Sequence, residues 1–92
     1  MLNEIPKQIE GAKTMYIAKS DTHFEVVCRE DKDILIEFLS ICQYDRDEGF
    51  YLFGCDIDFN THTDFYYEDV NEALVDAIRL YQTDIINWIQ VG

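Results

Sequence analysis

From residue 33 onward the chain carries thirteen carboxylates against two arginines, Arg46 and Arg79, so any fold must keep eleven surplus negative charges at the surface of one small core. Residues 1–32 hold five cations and six carboxylates, which leaves almost all of the formal charge of −12 in the later two-thirds. Self-repulsion on that scale works against a compact state. The chain opposes it with apolar material: 48% hydrophobic and 14% aromatic residues supply a packed interior and argue against disorder. At 92 residues there is enough chain for one core and too little for two. No repeat, low-complexity run or linker interrupts it, and the single proline is Pro6.

Hydrophobic spacing suggests the elements. Ile5, Ile9 and Ala12 recur at helical intervals, and Gly11 closes a short N-terminal helix. Residues 13–19 and 23–29 are rich in β-branched and aromatic side chains around the turn Ser20-Asp21-Thr22, and they read as a β-hairpin. Glu30, Asp31 and Asp33 then precede Ile34, Leu35, Phe38, Leu39 and Cys42, a spacing that predicts a helix over 31–43. A polar turn from Tyr44 to Gly49 leads to a strand over 50–59. In its second half Cys55, Ile57 and Phe59 alternate with Asp56, Asp58 and Asn60. Asn60 to Asp64 read as a turn before a short return strand at 65–67. Asp69 is a plausible N-cap with Glu72 three residues on, and Val70, Leu74, Ala77, Ile78, Tyr81, Ile85, Trp88 and Ile89 share one face of a long helix reaching the end. Val75 and Ile86 project away from that face. The expected fold class is α+β: a three- or four-stranded, mostly antiparallel sheet with two helices packed on one face.

The N-terminus lacks the basic and apolar regions of a signal peptide, and no run approaches the roughly 20 apolar residues of a membrane helix. A cytoplasmic location and no membrane partner are expected. Cys28, Cys42 and Cys55 show no CxxC spacing and no even pairing, so they read as buried, reduced structural thiols. Neither His23 nor His62 lies in an acid–base or nucleophile motif, and the four glycines are too dispersed to cradle a phosphate. The chain is not expected to be an enzyme or to need a cofactor.

The charge also excludes direct nucleic-acid binding, which needs Lys and Arg on the phosphates. A cationic partner suits it better. The candidate contact residues are Tyr44, Asp45, Asp47, Glu48, Asp56, Asp58, Asp64, Tyr66, Tyr67, Glu68, Glu72 and Asp76, with the tyrosines as aromatic anchors beside an acidic rim. On a strand, Asp56 and Asp58 would stand ~6.6 to 6.8 Å apart, an interval of the order of successive phosphates. Glu72 and Asp76, four apart on a helix, would share one face. A calcium loop fits the Asp56–Asp64 segment poorly: Thr61 stands where glycine is required, and Tyr67 where the bidentate acid belongs. No metal is assigned, although a metal- or ligand-binding module is a weaker alternative.

In composition the chain is similar to small acidic inhibitors that occupy nucleic-acid channels, such as phage anti-CRISPR and anti-restriction proteins. That resemblance implies a basic protein partner whose DNA or RNA site is blocked. An immunity protein or antitoxin against a basic toxin is the other reading, and a homodimer is compatible with both.

Overall fold

In the computed structural model, which describes residues 5–83 and 85–91, the chain is mainly β-structure. Strand β1 (Gln8–Ile9) turns into β2 (Ala12–Lys19) through Glu10 and Gly11, whose φ values of 53° and 78° are both positive. Two-residue turns of this primed kind match the twist of antiparallel strands. The expected N-terminal helix is therefore a hairpin, in which Ile9 pairs with Ala12. A spacing of three suits a helical face and a pair flanking a two-residue turn equally well. Residues 1–4 lie outside the described residues.

The predicted helix over 31–43 is also β-structure. Glu30 (φ 51°) and Asp31 (φ 63°) make a second tight turn between β3 (Glu25–Arg29) and β4 (Lys32–Ile36), and β5 (Phe38–Gln43) follows directly. Five of the six β5 residues are buried. A strand covered on both faces reads as a nearly continuous apolar run, and such a run satisfies helical spacing by accident. The β-branched Ile34, Ile36 and Ile41 tilt the balance toward strand. The expected hairpin of 13–19 with 23–29 gives way as well: β2 pairs with β5, and among the described residues β3 pairs only with β4.

Strand β6 (Phe50–Cys55) stops four residues short of its expected end, and β7 (Thr61–Tyr67) starts four residues early. Asp69 caps α1 (Val70–Leu80) as its sequence suggests, its side chain accepting the Asn71 amide at 2.7 Å. The helix does not run to the end of the chain. Gln82 takes φ 50°, and the amides of Thr83 and Gln82 return to the carbonyls of Ile78 and Arg79, a Schellman stop. The chain beyond is extended. Ile86 and Trp88 pack on the core while Ile85 and Ile89 are exposed, an alternation of two that crosses the expected helical stripe. Ile86 thus faces inward, contrary to its assignment as a projecting residue. It ends in β8 (Ile89–Gln90); Asp84 and Gly92 lie outside the described residues.

The six-stranded sheet runs β1-β2-β5-β6-β7, with β8 pairing the later part of β2, and every pairing is antiparallel. It curls into a half-barrel, with the β3–β4 hairpin as a separate sheet and α1 as the one helix among the described residues. The α+β expectation of two helices on a smaller sheet is thereby corrected. The helix lies on β6 and β7 through Ala73 and Ala77, both fully buried, whose small side chains allow close approach to Leu39, Ile41 and Leu52. Burial of each such Leu or Ile contributes about 1.5–3 kcal/mol. The face away from the helix buries Ile17, Phe38, Cys42, Phe53 and Cys55 inside the curl. Cys42 and Cys55 are the buried thiols expected, whereas Cys28 is exposed on the small hairpin. No described helix is long and apolar enough to cross a membrane.

Candidate functional site

The candidate residues fall into three groups. The β5–β6 connection carries Tyr44, Asp45, Asp47 and Glu48 at one end of the sheet. The pairing of Tyr51 with Tyr66 and of Phe50 with Tyr67 brings the end of β7 beside them. The rings of Tyr44 and Tyr51 meet edge to face at 5.2 Å, and those of Tyr51 and Tyr66 at 5.1 Å. Gly49 makes room for the last of these, since a Cβ there would fall 2.1 Å from the Tyr66 hydroxyl. Asp47 accepts the Gly49 amide at 2.9 Å with one oxygen, and its other oxygen lies 3.5 Å from the Tyr51 hydroxyl.

This end is an acid–tyrosine cluster. Partial desolvation and the charges of Asp47, Glu68 and Glu48 raise the Tyr66 phenol above its usual value. The ring is 51% exposed, and the three carboxylates are near enough for their charge to act on it. Tyr51 is raised in the same sense by desolvation and by Asp47. An aromatic face ringed by carboxylates attracts a guanidinium or ammonium group, through the ring quadrupole and through charge.

Asp56 and Asp58 lie at the other end of β6, roughly 17 Å away at strand rise. The expectation that Asp56, Asp58 and Asn60 share a strand face is corrected: residues 56–60 form a turn, with Phe59 at φ 65° stacked on Phe38 at 4.2 Å. Asp56 builds that turn. It accepts the amides of Asp58 (2.9 Å) and Asn60 (3.0 Å) and the Asn60 side chain (3.3 Å), and it pairs with His62 Nε2 at 2.9 Å. Burial pushes the Asp56 carboxyl up, but the His62 contact and the amides of Asn60 and Asp58 outweigh it and hold the group below the usual carboxylate range. With both oxygens engaged, Asp56 is a poor ligand for a cation, and no group of three potential metal ligands exists among the described residues. The phosphate-like interval between Asp56 and Asp58 is lost with the strand.

The third group joins β7 to α1. The Tyr67 hydroxyl donates to Asp76, and Arg79 Nε donates to the same carboxylate at 2.6 Å. The Tyr67 hydrogen bond, outweighing desolvation and helped by Arg79, holds Asp76 below its usual value. Burial and the Asp76 carboxylate drive the Tyr67 phenol up. These side chains, with Glu72 and Val75, line an open groove of about 560 Å³ along the helix. Asp64 stands apart, exposed in the middle of β7 and opposite Phe53.

Two features escape the sequence. Arg29, on the small hairpin, donates to the backbone carbonyl of His62. A cavity of about 280 Å³ opens beside β7, between Glu10 of the first turn and His62 and Asp64. The Asp56–His62 contact spans six residues and depends on the 56–60 turn, for which only the Asp-x-Asp-x-Asn pattern hinted. Comparison of the chain with protein-family models, curated proteins and solved structures gives no match.

Proposed function

We propose that this chain is an acidic inhibitor that covers a basic nucleic-acid-binding surface of a protein partner, with the acid–tyrosine end of the sheet as its centre of contact. The observation that carries the proposal is the lack of internal neutralisation. Among the described residues Asp76 forms an ion pair with Arg79 and Asp56 meets the His62 ring, and no other carboxylate has a basic side chain within 4 Å. Asp45, Glu48, Asp64 and Glu68 are exposed and free of such partners, and the exposed Tyr66 ring sits among them as an anchor. An aromatic side chain supplies contact area at low entropic cost, and the surrounding carboxylates steer a cationic surface toward it. Association should be fast at low salt and weaken as salt rises.

The test is affinity capture with the wild-type chain and with an Asp47→Lys/Glu48→Lys variant at low and high salt, followed by identification and DNA competition. A nucleic-acid-binding protein retained by wild type, lost from the variant and displaced by DNA supports the proposal. A control, Glu25→Lys/Glu30→Lys on the small hairpin, should retain it. Equal loss from both variants would overturn the assignment to this end. Capture of a toxin indifferent to DNA would favour the immunity reading.

A further inference from the structure

We propose that the outer edge of β7 accepts an extended segment of the cationic partner as an added strand, with Lys or Arg at every second position. The proposal rests on the reading of this chain as a binder of basic proteins and identifies how such a partner is held.

Strand β7 is the last strand of the sheet, and no described residue pairs with its outer side. A seven-residue edge presents unpaired backbone donors and acceptors, the feature that β-strand addition exploits. Its side chains alternate. Asp64 and Tyr66 lie on the face away from the helix, and Phe65 and Tyr67 on the helix side, with Phe65 40% and Tyr66 51% exposed. A strand added beside them would meet Asp64 and the Tyr66 ring on one face and the Phe65 ring on the other. The pattern that fits is a basic residue alternating with an apolar one.

Charge decides between occupants. A second copy pairing antiparallel about the middle of β7 would set Asp64 against its own equivalent, and like charges directly opposite destabilise a strand pair. A basic segment meets the opposite sign, from Asp64 at the centre to Glu48 and Glu68 around Tyr66. The cavity of about 280 Å³ flanked by Glu10, His62 and Asp64 gives a long cationic side chain somewhere to go. It is smaller than the roughly 300–1,000 Å³ of small-molecule sites. A cationic side chain of the chain itself already reaches β7: the Arg29 guanidinium donates to the backbone carbonyl of His62. That contact lies near the start of β7, and beyond it Asp64, Phe65 and Tyr66 are exposed.

The experiment uses a fluorescein-labelled nine-residue peptide of alternating Lys and Val, with two counterparts N-methylated on alternate amides. One carries the methyl groups on the odd residues and the other on the even ones. All three keep the same charge. Anisotropy should show the plain peptide binding, and one methylated form weaker by about tenfold, the effect of losing two or so backbone hydrogen bonds. Slowed amide exchange at residues 63–67 on binding is the second readout, and Asp64→Lys should weaken the plain peptide. Equal affinity for all three peptides, or protection elsewhere than β7, would overturn strand addition while leaving the basic-partner reading intact. If no cationic peptide binds, both readings fall.

Discussion

Asp47 and Asp56 stand at opposite ends of β6, and each accepts a hydrogen bond from the backbone amide two residues further on. Beyond that shared contact they diverge. Asp56 also takes the Asn60 amide, the Asn60 side chain and His62, so its charge is absorbed by its own turn. Asp47 has only the Tyr51 hydroxyl at 3.5 Å besides, and it shares its surroundings with Glu48 and Glu68 around an exposed ring. Two aspartates of similar local sequence thus become a structural support and part of an outward-facing field. Density of acid in the sequence does not distinguish them; the number of donors each meets does.

The glycines of the two ends sharpen the contrast and give the largest expected effect. A Cβ at Gly54 would fall 2.3 Å from the Thr63 hydroxyl and 3.1 Å from Ile36, in a place closed by Tyr81. Gly54→Ala should cost about 3 kcal/mol, the range for overpacking a buried site, and chemical denaturation would read it as a lower midpoint at unchanged slope. Next is Asp56→Ala, which strands the donors of its turn and should cost about 2 kcal/mol, lowering Tm by roughly 10 °C. Loss below about 0.5 kcal/mol would break the distinction between the two ends.

The same variant fixes a pH dependence. The Asp56 carboxyl lies below its usual value in the folded chain, so its stabilisation is fully present above the unfolded value of about 3.9 and is lost as pH falls through the folded one. Wild type should therefore lose Tm more steeply than Asp56→Ala between about pH 4 and pH 2. Parallel melting curves would show that the His62 and amide contacts do not bias ionisation.

A smaller effect is expected at the other end. Gly49→Ala drives the new methyl into the Tyr66 ring, which is exposed and can swing away. Stability should fall by about 1 kcal/mol or less, while the ring-current shifts of Tyr51 and Tyr66 change and partner binding weakens. The smallest effect is at Asp58, an exposed turn residue whose side chain makes no hydrogen bond among the described residues; Asp58→Asn should stay within about 0.5 kcal/mol by thermal melting.

What the sequence determines about this protein is local or summed over the chain. The surplus of acid, the strand character of 13–19 and 50–55, the polar turn at 44–49 and the Asp69 cap followed by an apolar helical stripe are all legible, because each depends on neighbours within a few residues. Partner choice was not legible: β2 pairs with β5, far along the chain, because a buried central strand must have its backbone groups hydrogen-bonded along both edges, and nothing in 13–29 encodes that. The same burial disguised 38–43, the later half of the predicted helix, since a strand buried on both sides loses the alternation that marks it. The acid field was divided in the same way. Composition put the carboxylates in one stretch of chain, but only the β5–β6 and β6–β7 pairings carried Asp47, Glu48 and Glu68 to one end and closed Asp56 into its own turn at the other, because antiparallel registry turns nearness in sequence into opposite ends of a sheet.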